Sequence, residues 1–234
     1  MIAPDPKGPY FQGERSRLFG VYPAVVTSVQ DPDNQGRVQI SLPWVDSDDG
    51  QQAKAWARLS TMMAGKDRGT WFIPEVDDEV LVSFMAGDPA WPIVIGALWN
   101  GKDTPPETMD SDNNVRSITS RSGHKLTFDD TSGSEVVSLT TQGGHEVTLD
   151  DASGGTLTIQ HSGGAKIEID SSGKITISTT NQVSVQAPAG VEVTAGKVTV
   201  NAGMSQFSGV VKADTVITNT IVAATYTPGA GNVW

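Results

Sequence analysis

From Val115 onward the apolar residues come in pairs two positions apart. Each pair sits in its own short segment: Leu126/Phe128, Val137/Leu139, Val147/Leu149, Leu157/Ile159, Ile167/Ile169, Ile175/Ile177, Val183/Val185, Val191/Val193 and Val198/Val200. A period of two is that of a β-strand with one apolar face. The segments also recur. Leu126, Val147 and Ile167 stand 21 and 20 residues apart, and the interleaved Val137, Leu157 and Ile175 stand 20 and 18 apart. The wording is nearly the same each time: SGHKLTFDD at 122–130, GGHEVTLDD at 143–151 and GGAKIEIDS at 163–171. This is an internal repeat of two short strands joined by Gly- and Ser-rich turns. The step falls to 8 and then 7 residues from Val183 to Val191 to Val198, so the turns shorten toward the C-terminus.

Such a repeat limits what the chain can become. Each strand offers two or three apolar side chains to one face, and Thr, Lys, Glu, Ser and Gln to the other. A ribbon of this kind has one oily face and two open edges. It is unstable by itself, and its edges invite pairing. Copies wrapped round a common axis bury the oily faces and pair the edges between chains, and three copies give the simplest closed prism. The eighteen paired residues are therefore the expected intersubunit core, and 115–234 is expected to have no folded monomeric form. At the far end, Tyr226, Pro228, Val233 and Trp234 in TYTPGAGNVW are expected either to plug the prism or to contact a tip protein.

The first part of the chain is written differently. Residues 1–16 are rich in Pro, Gly and charge, as a terminal arm would be. Residues 17–100 hold five of the six tryptophans, Trp44, Trp56, Trp71, Trp91 and Trp99. Strands are predicted at 20–29, 37–44, 55–60, 69–74 and 78–85, the last with Val80, Val82 and Phe84 in clean alternation. The run WPIVIGALW at 91–99 is continuously apolar, which predicts a strand buried on both faces. So many short strands in so short a span predict a small closed barrel. Residues 101–114, polar and carrying Pro105-Pro106, read as a linker.

Composition narrows the function. The net charge is −11 and the pI about 4.6. A nucleic-acid partner needs an excess of Lys and Arg, so none is expected. There is no cysteine, which excludes disulfides and thiolate zinc sites. DPDNQG at 31–36 begins like a calcium loop, but Leu42 stands where the bidentate Glu would be required, so a hairpin turn is expected. AGKDRGT at 64–70 lacks the upstream glycine of a phosphate loop. His124 and His145 occupy equivalent repeat positions beside turn glycines and are expected to face solvent. The pairs Asp129-Asp130 and Asp150-Asp151 end strands, where Asp caps the backbone. No catalytic, metal or cofactor site is expected.

Residues 55–106, AWARLSTMMAGKDRGTWFIPEVDDEVLVSFMAGDPAWPIVIGALWNGKDTPP, strongly resemble the OB-fold of the VgrG and phage baseplate assembly protein V family. DPDNQGRVQISLPW at 31–44 matches the preceding strand pair, and 207–234 looks like the end of the same spikes. The resemblance implies an all-β protein in which an OB-fold barrel precedes an intertwined triple-stranded β-helix formed by a homotrimer. It implies a non-enzymatic central spike of a contractile tail baseplate or related injection machine, which pierces a target cell envelope. The expected place is the centre of a tail baseplate in a virion or phage-like particle, after synthesis in the bacterial cytoplasm. A separate trimeric hub protein is expected at the barrel end. The short linker leaves no room for an inserted lysozyme domain, and no His-x-His motif is present to hold an apical iron ion. A PAAR-type protein is therefore expected on the tip. The alternative is a receptor- or glycan-binding tail fibre with the barrel as its binding head.

Overall fold

The structure, a computed structural model, describes residues 17–46 and 52–225. The 1–16 arm and the proposed tip contacts Tyr226, Pro228, Val233 and Trp234 lie outside the described residues. The chain divides into two compact units, one ending at Gln182 and one beginning at Val183.

The first unit opens with strands β1 (Val21–Ser28), β2 (Val38–Asp46) and β3 (Gln52–Leu59). Two short strands, β4 (Ala64–Gly65) and β5 (Arg68–Gly69), make a small separate hairpin, and β6 (Glu79–Phe84) and β7 (Pro92–Ala97) follow. Strands β1, β2, β3, β7 and β6 close into a five-stranded barrel in that order. The β3–β7 pair is parallel and the other four are antiparallel. Closure removes the edges that an open sheet of this size would expose.

Alternation places the barrel core. Val80, Val82 and Phe84 of β6 point inward and meet Ala24 and Val26 of β1 and Val38, Ile40, Leu42 and Trp44 of β2. Ile40, Val26, Val38, Val80 and Val82 are wholly enclosed. Trp44 stacks on Tyr22 with ring centroids 4.7 Å apart and donates its indole N–H to the Pro23 carbonyl at 2.9 Å. The polar tip of a buried aromatic thus finds a partner.

The segment at 31–36 is a turn between β1 and β2, as the missing Glu required. Asp31 accepts backbone N–H groups from Asp33, Gln35 and Arg37, and Arg37 Nη2 lies 2.6 Å from Asp31 Oδ1. The Arg37 guanidinium, aided by these N–H groups, holds the Asp31 carboxyl well below the usual carboxylate range.

Two expectations for the barrel fail. Residues 70–78 form no strand: Trp71 and Phe72 project into solvent, and Ile73 alone among the large apolar residues of that segment packs against the barrel core. The 91–99 run is not buried on both sides in the single chain. Pro92 and Val94 face the core, while Trp91 at 60% exposure and Trp99 at 70% face out. Of the five barrel tryptophans only Trp44 is buried.

After the linker come β8 (Val115–Thr119), β9 (Lys125–Asp129), β10 (Val136–Thr140), β11 (Glu146–Asp150), β12 (Thr156–Gln160), β13 (Lys166–Ile169) and β14 (Ile175–Ser178). They form one seven-stranded antiparallel meander in sequence order. Each strand therefore pairs with its chain neighbour, so the ladders across 115–178 are made within one chain. The expectation that these edges pair between chains is restricted to β8 and β14. Glu107 of the linker ties down the first hairpin, accepting from Ser117 Oγ at 2.6 Å and pairing with Lys125 Nζ at 2.6 Å. Lys125 and Ser117 hold the Glu107 carboxyl below its ordinary value.

In the second unit, the described residues 183–225 contain no strand. Val183/Val185, Val191/Val193 and Val198/Val200 keep their alternation but have no ladder partner among the described residues. All six are more than half exposed.

Candidate functional site

The register of the meander gathers the repeated apolar pairs onto one face, in two columns. One column runs Ile118, Leu126, Leu139, Val147, Ile159, Ile167, Ile177. The other runs Phe128, Val137, Leu149, Leu157, Ile169, Ile175. Twelve of the eighteen residues expected in the intersubunit core thus stand side by side, strand after strand. The other six lie in the second unit, described by itself above. Ile118 was missed, because the residue two before it is Arg116, opposite Phe128, and the pair pattern fails there. Its signal was the apolar residue one repeat step before Leu139.

The reverse face of the sheet is polar. Ser117, Thr127, Ser138, Thr148, Thr158, Glu168 and Thr176 form its central column. One face of the sheet is thus continuously oily and the other is hydrated.

Among the described residues, none buries the oily face. Every buried apolar residue among those described belongs to the barrel or to Leu18 just before it. On the sheet, Leu139 is 50% exposed, and Ile175 and Ile177 are 63% and 62% exposed. A surface seven strands long and two side chains wide, apolar but for Arg116 on β8, marks an interaction site. Its chemistry is association, driven by removing apolar area from water.

The turns explain the recurrent glycines and aspartates. Three turns lie on one edge of the sheet: 120–124, 141–145 and 161–165. Their glycines Gly123, Gly144 and Gly164 have φ of 82°, 79° and 90°, a backbone region where side chains are strained. On the opposite edge, Asp129, Asp150 and Asp170 accept the backbone N–H groups of Thr131, Ala152 and Ser172, at 3.0, 2.8 and 2.9 Å. The hydroxyls of Thr131 and Ser172 add to this and hold Asp129 and Asp170 below the usual carboxylate range. These carboxylates fasten turns, as their positions at strand ends implied. His124, His145 and His161 are exposed on the glycine-turn edge. Among the described residues, no three metal-binding side chains converge.

Comparison with known proteins agrees with this geometry. Residues 22–99, which hold the barrel, match the type VI secretion system/phage-baseplate injector OB domain. Residues 136–205, from β10 to beyond the end of the meander, match the phage baseplate V C-terminal trimerisation domain. The chain is 33% identical over 112 residues to the type VI secretion system spike protein VgrG3 of Vibrio cholerae, a match covering 45% of this chain and 11% of that protein. It is equally similar, 33% over 112 residues, to the actin cross-linking toxin VgrG1 of Vibrio cholerae, with 45% of this chain and 10% of that protein covered. The spike protein VgrG1a of Pseudomonas aeruginosa is 31% identical over 112 residues, covering 44% of this chain and 17% of that protein. The chain therefore spans less than a fifth of the length of these relatives. The barrel and the repeat are thus each matched by a domain of the same injector architecture, an injector OB domain and a baseplate V trimerisation domain.

Proposed function

We propose that this chain is the central spike of a contractile tail baseplate or related injection machine, acting as a homotrimer. The observation that carries the proposal is the uncovered apolar face, two columns wide, on a segment matched by a trimerisation domain. Three copies turn these faces to a common axis, with Leu126, Phe128, Val137, Leu139, Val147, Leu149, Leu157, Ile159, Ile167, Ile169, Ile175 and Ile177 inside. In the second unit, Val183, Val185, Val191, Val193, Val198 and Val200 are assigned to contacts between copies. There the strands take their hydrogen-bond partners from neighbouring copies and intertwine as a β-helix.

The mechanism is mechanical. A short-stranded sheet resists bending when its ladders are complete and its oily face is dry, so the trimer transmits an axial thrust to the envelope. No chemistry of its own is assigned to it. The exposed tryptophans of the barrel, Trp91 and Trp99 above all, suit contact with a separate trimeric hub protein. Tyr226, Pro228, Val233 and Trp234 are assigned to the tip, where a PAAR-type protein would sit. The chain is made in the bacterial cytoplasm and comes to rest at the centre of the baseplate of a virion or phage-like particle.

The test is complementation in the cell that makes the particles. Removing the chain is expected to abolish assembled contractile particles seen by electron microscopy, and restoring it to recover them. Normal particles that kill or inject without it would refute the proposal. Specific retention on a glycan array with no effect on assembly would favour a receptor-binding fibre instead.

A further inference from the structure

The two edges of the meander carry different chemistry, and the difference has a use in a ring of three. One edge holds the turns 120–124, 141–145 and 161–165, with His124, His145 and His161 exposed on it. The other holds the turns that follow β9, β11 and β13, with Asp129, Asp130, Glu135, Asp150, Asp151 and Asp170.

The histidine edge is built as a ladder. Gln142 N–H donates to His124 Nδ1 at 3.3 Å, and Ser162 N–H donates to His145 Nδ1 at 3.2 Å. Gly163 N–H donates to His161 Nδ1 at 2.9 Å, and the rings of His145 and His161 lie 4.4 Å apart. An imidazole that accepts at Nδ1 keeps its proton on Nε2 in the neutral form. Each ring is thus left with an Nε2–H donor that no partner among the described residues uses. The cations nearest this edge are already engaged: Arg121 with Glu75, Lys125 with Glu107 and Lys166 with Glu168. Across the sheet only Arg116 and Lys174 stand among the six acids, and Arg116 pairs with Asp130. One edge offers donors and the other offers carboxylates in excess. His124 and His145 recur every second strand, about 9.5 Å, as do Asp129, Asp150 and Asp170, so the two rows have the same pitch, while His161 opens its turn and leans on His145.

In a three-fold ring every contact is head to tail, one edge of a subunit meeting the other edge of the next. We infer that the histidine edge of each copy docks on the aspartate edge of its neighbour, so that the corners of the prism are lines of imidazole–carboxylate contacts. The inference rests on the homotrimer proposed above and adds which edges mate. Nε2–H groups donate to the carboxylate oxygens not taken up by the turns. Like edges are kept apart, because two acidic edges repel.

Cross-linking tests this, since the chain has no cysteine. Gln142→Cys places a thiol on the histidine edge, and Ser132→Cys places one on the aspartate edge. Both positions are exposed. Five residues separate the edges within a strand, about 17 Å, so a bismaleimide with a shorter spacer cannot join the two thiols of one chain. The double variant is expected to give covalent trimers, and each single variant none. Cross-linking of Gln142→Cys to itself would overturn the inference. So would a double variant that has trimer mass and yields no cross-link, which leaves the trimer standing. Monomer mass at micromolar protein would overturn the trimer and the edge pairing together.

Charge supplies the second arm. His124→Glu with His145→Glu keeps an acceptor for the neighbouring N–H groups but sets carboxylates against carboxylates. The cross-linked fraction is expected to fall severalfold, and Asp130→Lys with Asp151→Lys in the same chain to restore it. Failure of restoration would refute an electrostatic origin for the pairing.

Discussion

Residues 138 and 139 are neighbours on β10 that face opposite ways, and they separate association from strand formation. Leu139 lies in the apolar column between Leu126 and Val147, and Ser138 lies in the polar column between Thr127 and Thr148. Leu139 is half exposed in the single chain. Covering the rest of it in the trimer contributes about 1 kcal/mol, half of the value for a fully buried leucine, or about 3 kcal/mol over three copies. Leu139→Asp removes this and places three carboxylates at the axis, each costing several kcal/mol to bury without a partner. The total exceeds about 10 kcal/mol, roughly seven powers of ten in the association constant. Ser138→Asp introduces the same residue, with the same poor strand propensity, on the hydrated face. Sedimentation velocity at micromolar protein should show Leu139→Asp as monomer or aggregate and Ser138→Asp as trimer. If the two variants sediment alike, the assignment of faces is wrong.

The barrel yields independent predictions. Ile40→Ala, at a fully enclosed site, should cost about 2–5 kcal/mol, read as a drop in the denaturant midpoint of barrel tryptophan fluorescence. Arg37→Ala should free the Asp31 turn and lower the barrel Tm, while Ile40→Ala and Arg37→Ala should leave the sheet's own ladders intact by hydrogen exchange. Asp129 and Asp170 are held below their unfolded values by turn hydrogen bonds, so they stabilise the sheet above the unfolded carboxylate range. That contribution is lost as pH falls through about 4 and lower. A urea midpoint that declines between about pH 5 and 3, and declines less in the Asp129→Asn, Asp170→Asn variant, would bear this out. In the full assembly, amides of Val191, Val193, Val198 and Val200 should exchange slowly, since their partners come from other copies. Exchange at the rate of an unstructured peptide would contradict that.

The alternation of Val80, Val82 and Phe84, and of every pair from Leu126 to Ile177, was legible because each strand keeps one face wet. A period-two pattern with a polar reverse side has a single reading. The same rule failed at 69–74, where Trp71 and Phe72 are large and apolar but project outward. Hydrophobicity alone cannot tell a core residue from one that waits for another protein. The run at 91–99 was misread for the same reason: Trp91 and Trp99 look like a buried strand in sequence and form an exposed surface in the single chain. Pairing partners were the other hidden quantity. The repeat announced strands but not whether they pair along the chain or across it. The meander pairs β8 to β14 in order, because each turn of about five residues is long enough to bring the next strand back alongside. Past Ser178 the segments shorten, and the chain no longer supplies its own partners. The histidine ladder was half legible: the equivalence of His124 and His145 was in the repeat, but the N–H groups of Gln142 and Ser162 came into reach only through the register.

The central claim is that the oily face is dry only when several copies share it. Sedimentation equilibrium of the full chain at micromolar concentration tests that most directly. The account predicts a single species of three times the 24.7 kDa chain mass, with no monomer on dilution. A folded, stable particle of 24.7 kDa would contradict it.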